Sequence, residues 1–283
     1  MPAHRATSDK RTVCYSANFP FITNMKPAAM FNRFLRTCLL PVALCAALPA
    51  SAQDMVDVIK RVKPAVVAVG TFQQTRSPAA DFRGTGFAVG DGLSVITNAH
   101  VLPPSLNTDQ KEVLGIITGD GANPTFRVAT VAGIDREHDL AHLRISGAPL
   151  PTLQLQDSER VEEGQELGFT GFPLGMLLGL RHVTHRALLS ALTPISIPAA
   201  NARQLDPKTI AQMQRSPFAV FQLDATAYPG SSGSPVFDPK TGGVVGIINM
   251  VYVKGVKENA ISNPSGITYA IPGKYISRLL DGK

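Results

Sequence analysis

The chain is 283 residues long, 44% hydrophobic and 17% charged, too apolar and too mixed for a disordered, collagenous or coiled-coil protein and long enough for one large or two small globular domains. Its formal net charge of +6 invites a nucleic-acid or membrane-surface partner until the charges are located. Residues 1–52 hold six basic side chains against one acidic, leaving 21 basic against 20 acidic in the remainder, so the excess belongs to one end and no nucleic-acid partner is expected.

That end reads as an export signal. Arg33 and Arg36 form a basic start, Cys38 to Ala50 an apolar run of 13 residues, and Ala50-Ser51-Ala52 a small-residue cleavage site before Gln53. Thirteen residues are too few to span a bilayer. The signal peptide is expected at 30–52 within an export region 1–52, with Met25 or Met30 as the translation start rather than Met1. A buried core helix is the alternative, opposed by the two arginines and the small-residue ending. Cys45 as a lipid-attachment site is opposed by the bulky Leu44 before it. All three cysteines, Cys14, Cys38 and Cys45, precede the cut. The mature chain of about 231 residues would therefore be periplasmic or secreted, without stable membrane insertion, and would rely on its core rather than on disulfides.

After Gln53 a short helix is expected at 54–62, ended by Pro64. Strands follow near 65–70, 85–89, 93–97, 126–132, 140–145, 166–170, 183–192, 219–223, 243–252 and 267–271, as Val-, Ile- and Phe-rich runs broken by Gly, Pro, Asn and Asp. Helices are expected at 207–215 and at 272–280, where Pro272 suits a first turn. The stretch 193–218 is long for a loop in a compact domain, which points to function or disorder. No internal repeat or linker interrupts 53–283. Many short strands with tight turns predict one all-β unit, a sandwich or a pair of barrels.

Three segments carry chemistry. TNAHV at 97–101 places His100 directly after an apolar strand, and HDLAHLRI at 138–145 places Asp139 at the head of another. Taken alone, each fits an ordinary surface or turn residue. YPGSSGSPVFD at 228–238 is more specific. A serine hydroxyl becomes a useful nucleophile only beside a base, with backbone N–H groups aimed where negative charge develops. A glycine two residues earlier permits the sharp turn this needs, and Gly230 and Ser232 have that spacing. A plain Gly-Ser hairpin turn is the competing reading of that segment. The order His, Asp, Ser along the chain is that of chymotrypsin-type barrels, not of subtilisins or α/β-hydrolases.

The chain resembles a trypsin-fold serine protease of the bacterial Do-like, Deg or high-temperature-requirement group. GTGFAVGDGLSVITNAHVL, DREHDLAHLRI, GFTGFPLGM, RALLSAL, LDATAYPGSSGSPVF, GGVVGIIN and GITYAIPGKYISRLL match that group's landmarks in order, from about Asp54 onward. The resemblance implies two six-stranded β-barrels with short N- and C-terminal helices, over 53–283. It also implies a nucleophile Ser232, a general base His100, an orienting Asp139, and an oxyanion hole from the N–H groups of Gly230 and Ser232. No metal or organic cofactor is implied. Polypeptide substrates, unfolded or damaged, are the implied partners, and homo-oligomers are common in the group.

Two departures stand at the serine turn. Ser234 replaces a usual second glycine and is expected to crowd the turn. Ser231 stands where digestive relatives carry an aspartate that pairs with a freshly cut N-terminus, so that mode of activation is absent and neighbouring loops, 193–218 or LGMLLGL at 174–180, are expected to steady the turn. Most of the group continues into PDZ domains, whereas this chain is expected to be a protease domain alone. By the same resemblance a first specificity pocket has Thr226 at its base, Ile248, Asn249 and Met250 along one wall and Ala270 near the other. Without a carboxylate at the base it should favour small or medium aliphatic side chains, because an unpaired buried cation costs several kcal/mol. His138, His142, His182 and His185 show no zinc spacing, and no metal site is expected. The competing functions are a catalytically silent, peptide-binding module of the same fold and an esterase. A lost catalytic residue would favour the former, and all three are present. The G-x-S-x-G elbow of the latter fails at Ser234.

Overall fold

In the computed structural model, which describes residues 55–119, 124–194, 218–250 and 266–282, the apolar runs become two closed antiparallel barrels. The first holds β1 (Val66–Phe72), β2 (Ala80–Val89), β3 (Ser94–Asn98), β4 (Val113–Thr118), β5 (Thr125–Asp135) and β6 (Leu140–Ile145), closed in the order β1-β2-β3-β6-β5-β4. The second holds β7 (Glu166–Gly171), β8 (Val183–Pro194), β9 (Ala219–Asp224), β10 (Pro235–Phe237), β11 (Val244–Asn249) and β12 (Ile267–Pro272), closed in the order β10-β11-β12-β9-β8-β7. Helix α1 (Met55–Val62) precedes the barrels and α2 (Gly273–Leu280) follows them. Among the described residues no helix is long and apolar enough to cross a membrane.

The strands read as continuous apolar runs because each face of the key strands is covered. Val67 and Val69 of β1 point into the first barrel with Leu114, Ile116 and Leu143. Val66 and Ala68, one residue out of phase, join a cluster with Phe87, Leu140, Phe172, Phe237, Ile247 and Ile271, drawn from both barrels. The second barrel's own core is built on Leu167, Phe169, Leu189, Phe221, Leu223 and Ile248. At about 1.5–3 kcal/mol per fully buried large apolar side chain, the interbarrel cluster is a substantial share of the stabilisation, and it holds the two halves of the site together.

Several expected boundaries shift. β4 and β10 were not expected. β4 hides behind Gly115, a residue depleted in strands, which here faces Gly70 across the ladder and leaves room for the Phe126 ring. β10 has three residues and opens on Pro235, which is tolerated there because a first strand position need not donate to the ladder. β2 begins at Ala80 instead of 85. Pro272 ends β12 and caps α2 in an extended conformation, outside the helix. Residues 193 and 194 belong to β8. The export region 1–52, the expected helix at 207–215, the remainder of the 193–218 stretch up to 217, and positions 251 and 252 of the expected strand lie outside the described residues.

Candidate active site

His100 and Asp139 come from the first barrel and Ser232 from the second. β3 ends at Asn98 and runs into a single 3₁₀ turn, Ala99–Val101, that lifts His100 out of the sheet. Asp139 sits in the tight connection between β5 and β6 with φ +54, a left-handed conformation that Asp accepts more readily than most side chains. Its carbonyl accepts from the Ala99 N–H at 3.0 Å and from the Asn98 amide at 3.1 Å. The turn carrying the aspartate is thus stitched to the turn carrying the histidine.

The side chains complete a line. The Asp139 Oδ1 accepts the His100 backbone N–H at 2.8 Å, and Oδ2 lies 2.5 Å from His100 Nδ1. His100 Nε2 is 3.0 Å from Ser232 Oγ. The imidazole side chain is 31% exposed and the carboxylate 17%, so the base is reachable while its partner is shielded. An aspartate at Nδ1 favours the tautomer with the proton there, leaving Nε2 to accept from the serine.

Ser232 lies in a turn that two glycines permit. Gly230 has φ +98 and Gly233 φ +88. A Cβ on Gly230 would fall 2.4 Å from the Phe172 carbonyl oxygen, and one on Gly233 1.8 Å from that of Thr85. The N–H groups of Ser231, Gly233 and Ser234 donate to Tyr228, Ile248 and Ser231. Those of Gly230 and Ser232 donate to no group among the described residues. The Leu174 N–H holds the Pro229 carbonyl at 2.7 Å, fixing the peptide plane whose other face is the Gly230 N–H. Leu174 itself has φ +57.

Ser234 is accommodated without a left-handed backbone. Its Oγ points at Gly171, where a Cβ would lie 1.9 Å away, so the space its hydroxymethyl takes is vacated across the barrel. The Ser234 and Ser231 hydroxyls are both buried and have no hydrogen-bond partner among the described residues.

Around the expected specificity pocket the residues divide. Ala225, Ala227 and Met250 pack against the cluster that contains Ile248 and Ala270, which face each other across β11 and β12. Thr226, between Ala225 and Ala227, is half-buried. Ile248 and Ala270 are fully enclosed in the second core. The Asn249 side chain donates to Asp139 Oδ2 at 2.7 Å, strand alternation turning it opposite to Ile248. Sequence reasoning also missed Thr268, whose hydroxyl holds Ala225 and Ala227 together. Asp224 is exposed, in register with the part-exposed Leu188 and Ile267.

No cluster of three or more His, Cys, Asp or Glu side chains placed to hold a metal occurs among the described residues. His138 is bonded to Asp135 at 2.6 Å and stacked on Tyr275 of α2. Burial pushes His142, His182 and His185 below the usual imidazole value, with His182 partly compensated by a hydrogen bond to the Val66 carbonyl. The unfolded chain takes up protons near pH 6.5, while the folded chain resists them. Stability is therefore complete above that pH and declines as pH falls below it, until the folded-state values are passed. Urea midpoints measured between about pH 7.5 and 5 are expected to fall on acidification. A midpoint constant across that interval would contradict the assignment.

Residues 84–247 match the family model of the trypsin-like peptidase domain. Among curated relatives, a probable periplasmic DegP-like serine endoprotease of Pseudomonas putida strain F1 is 29% identical over 206 residues, covering 71% of this chain and 36% of the relative. A protein of the same description from Chlamydia trachomatis is 28% identical over 200 residues, covering 70% and 33%. The chain thus spans about a third of the length of the curated relatives it matches. Solved structures of similar fold include the Rv3671c protease of M. tuberculosis in its active form, with TM-score 0.57, 22% identity and coverage of 83% and 86%. The HtrA-type protease AlgW with a decapeptide has TM-score 0.55, 21% identity and coverage of 81% and 68%.

Proposed function

Since the chain belongs to the trypsin-like peptidase domain family, we propose that residues 53–283 are an exported serine endopeptidase that hydrolyses unfolded or damaged polypeptides. The observation that carries this reading is the continuous line from Asp139 through His100 to Ser232 Oγ, at 2.5 and 3.0 Å, beside two backbone N–H groups that donate to nothing among the described residues. In this mechanism Ser232 Oγ attacks the scissile carbonyl carbon while its proton passes to His100 Nε2. The carbonyl oxygen takes up the negative charge between the N–H groups of Gly230 and Ser232. Collapse of the adduct expels the amine, which leaves with the proton from His100, and a water then repeats the sequence on the acyl-enzyme to release the acid and restore Ser232.

Residues 1–52 act as the export region, with Gln53 as the first mature residue, and the naming of the relatives as periplasmic supports an envelope or secreted location. Labelling by a fluorophosphonate is the direct test: the wild-type protein should react once per active site and Ser232→Ala should not. An unlabelled, folded wild-type protein would favour a silent peptide-binding module.

The first specificity pocket is formed by Thr226 and Met250, backed by the enclosed Ile248 and Ala270. With Thr226 at the base and Asp224 on the outer surface, cleavage is expected after Val, Ala, Leu or Ile. Each methylene is worth about 1–3 kcal/mol in such a pocket, so the preference is modest. Mass-spectrometric mapping of cuts in an unfolded protein would reject this if Arg or Lys dominated before the scissile bond.

A further inference from the structure

We propose that Thr85, a residue of the first barrel, is a positioning residue that sets the oxyanion turn of the second. The inference rests on the reading of Ser232 as nucleophile and of the Gly230 and Ser232 N–H groups as oxyanion donors. Thr85 lies in β2 and is fully buried. Its backbone N–H donates to the Ser232 carbonyl at 2.8 Å, and its hydroxyl donates to the Gly230 carbonyl at 2.8 Å. One side chain and its own backbone thus hold the carbonyls on both sides of Ser231, across 145 positions of sequence.

The hydroxyl has no freedom to do otherwise. Its oxygen accepts the Phe172 N–H at 3.1 Å, so its single proton is left for Gly230. The Thr85 carbonyl accepts the Thr97 hydroxyl at 2.7 Å, and Thr97 lies in β3, three residues before His100. The same residue therefore ties the strand that delivers the base to the turn that delivers the nucleophile.

Such a grip matters because Gly230, at φ +98, is the joint of the turn. Glycine has no Cβ to confine it, so the peptide planes on either side can rotate at little intrinsic cost. Two carbonyl anchors oppose that rotation: the Leu174 N–H on Pro229 and the Thr85 hydroxyl on Gly230. Ser231 offers no carboxylate for an ion pair, and its own hydroxyl has no partner among the described residues. The hydroxyl of Thr85 supplies from inside the molecule a restraint that Ser231 does not.

A purely structural hydrogen bond and a positioning one separate in kinetics. Thr85→Val keeps the shape and removes the donor, while Thr85→Ser keeps the donor. On a peptide substrate Thr85→Val is expected to lower kcat by about 10²-fold, the order seen when an oxyanion donor is lost, with KM changed by less than about threefold. Thr85→Ser should retain kcat within about threefold. A peptide aldehyde, whose adduct with a serine carries the oxyanion, should lose affinity across the variants in proportion to kcat/KM. If Thr85→Val does not fold by circular dichroism, Thr85→Ala gives the same comparison, since its side chain has no donor. Wild-type kcat in a folded valine or alanine variant, or a loss of kcat equal in the serine variant, overturns the inference. Failure of the wild-type protein to react with a fluorophosphonate would instead remove the reading on which it rests.

Discussion

Ser232→Ala and His100→Ala are each expected to lower turnover by on the order of 10⁶, and the double variant by little more. The reason lies in the 3.0 Å contact between Ser232 Oγ and His100 Nε2: a hydroxyl without its base is a poor nucleophile, and a base without a hydroxyl has nothing to activate. Each truncation destroys the same proton transfer, so the two losses cannot add. Neither should unfold the protein. His100 is the more exposed of the paired side chains, and the Ser232 backbone is held by its carbonyl, which no substitution at Oγ disturbs. Single-turnover and steady-state assays on purified variants with unchanged circular dichroism would check this, and losses that multiplied in the double variant would mean that the two residues act separately.

Asp139→Asn is expected to lower turnover by about 10⁴, and the surroundings of Asp139 explain why no orientation of the new amide is innocent. Three donors converge on the carboxylate: the His100 N–H on Oδ1, and His100 Nδ1 and the Asn249 amide on Oδ2. If the asparagine nitrogen replaces Oδ2, it opposes the Asn249 amide and makes Nδ1 an acceptor, moving the imidazole proton to Nε2, where it blocks acceptance from Ser232. If it replaces Oδ1, it meets the backbone N–H of His100 and leaves that donor unpaired. The loss should diminish at high pH, where the serine proton is more easily removed without an oriented base. Turnover near wild type at neutral pH would mean that another carboxylate orients His100. Asn249 enters only as a helper of Asp139, so Asn249→Ala should cost far less than Asp139→Asn.

The parts of the molecule that announce themselves in sequence are those determined by neighbours along the chain. AVVAVG and LSVIT are strands because β-branched residues at consecutive positions are covered on both faces. TNAHV, HDLAHL and GSSGS place three reactive groups at strand ends and in a glycine turn, where their chemistry is locally recognisable. Gly115 concealed β4, since its strand role depends on a Phe126 ring that arrives from the next strand. Pro235 concealed β10 in the same way. The bond from Asn249 to Asp139 is likewise invisible in sequence, because its partner lies 110 positions away. Thr85 looked like an unremarkable small residue in a glycine-rich strand. Its partners lie in the other barrel, and no local pattern reports them.

The division of the site between barrels also has a bearing on synthesis. The base and its carboxylate are complete once residue 139 has been made, but the serine turn is anchored by β11 and by a barrel that closes only through β12. Those long-range pairings are the slow, late part of assembly. In that order of assembly a growing chain holds the histidine and the aspartate before it holds the serine turn that faces them. The three side chains come into line only with the last strand, once the rest of both barrels has formed.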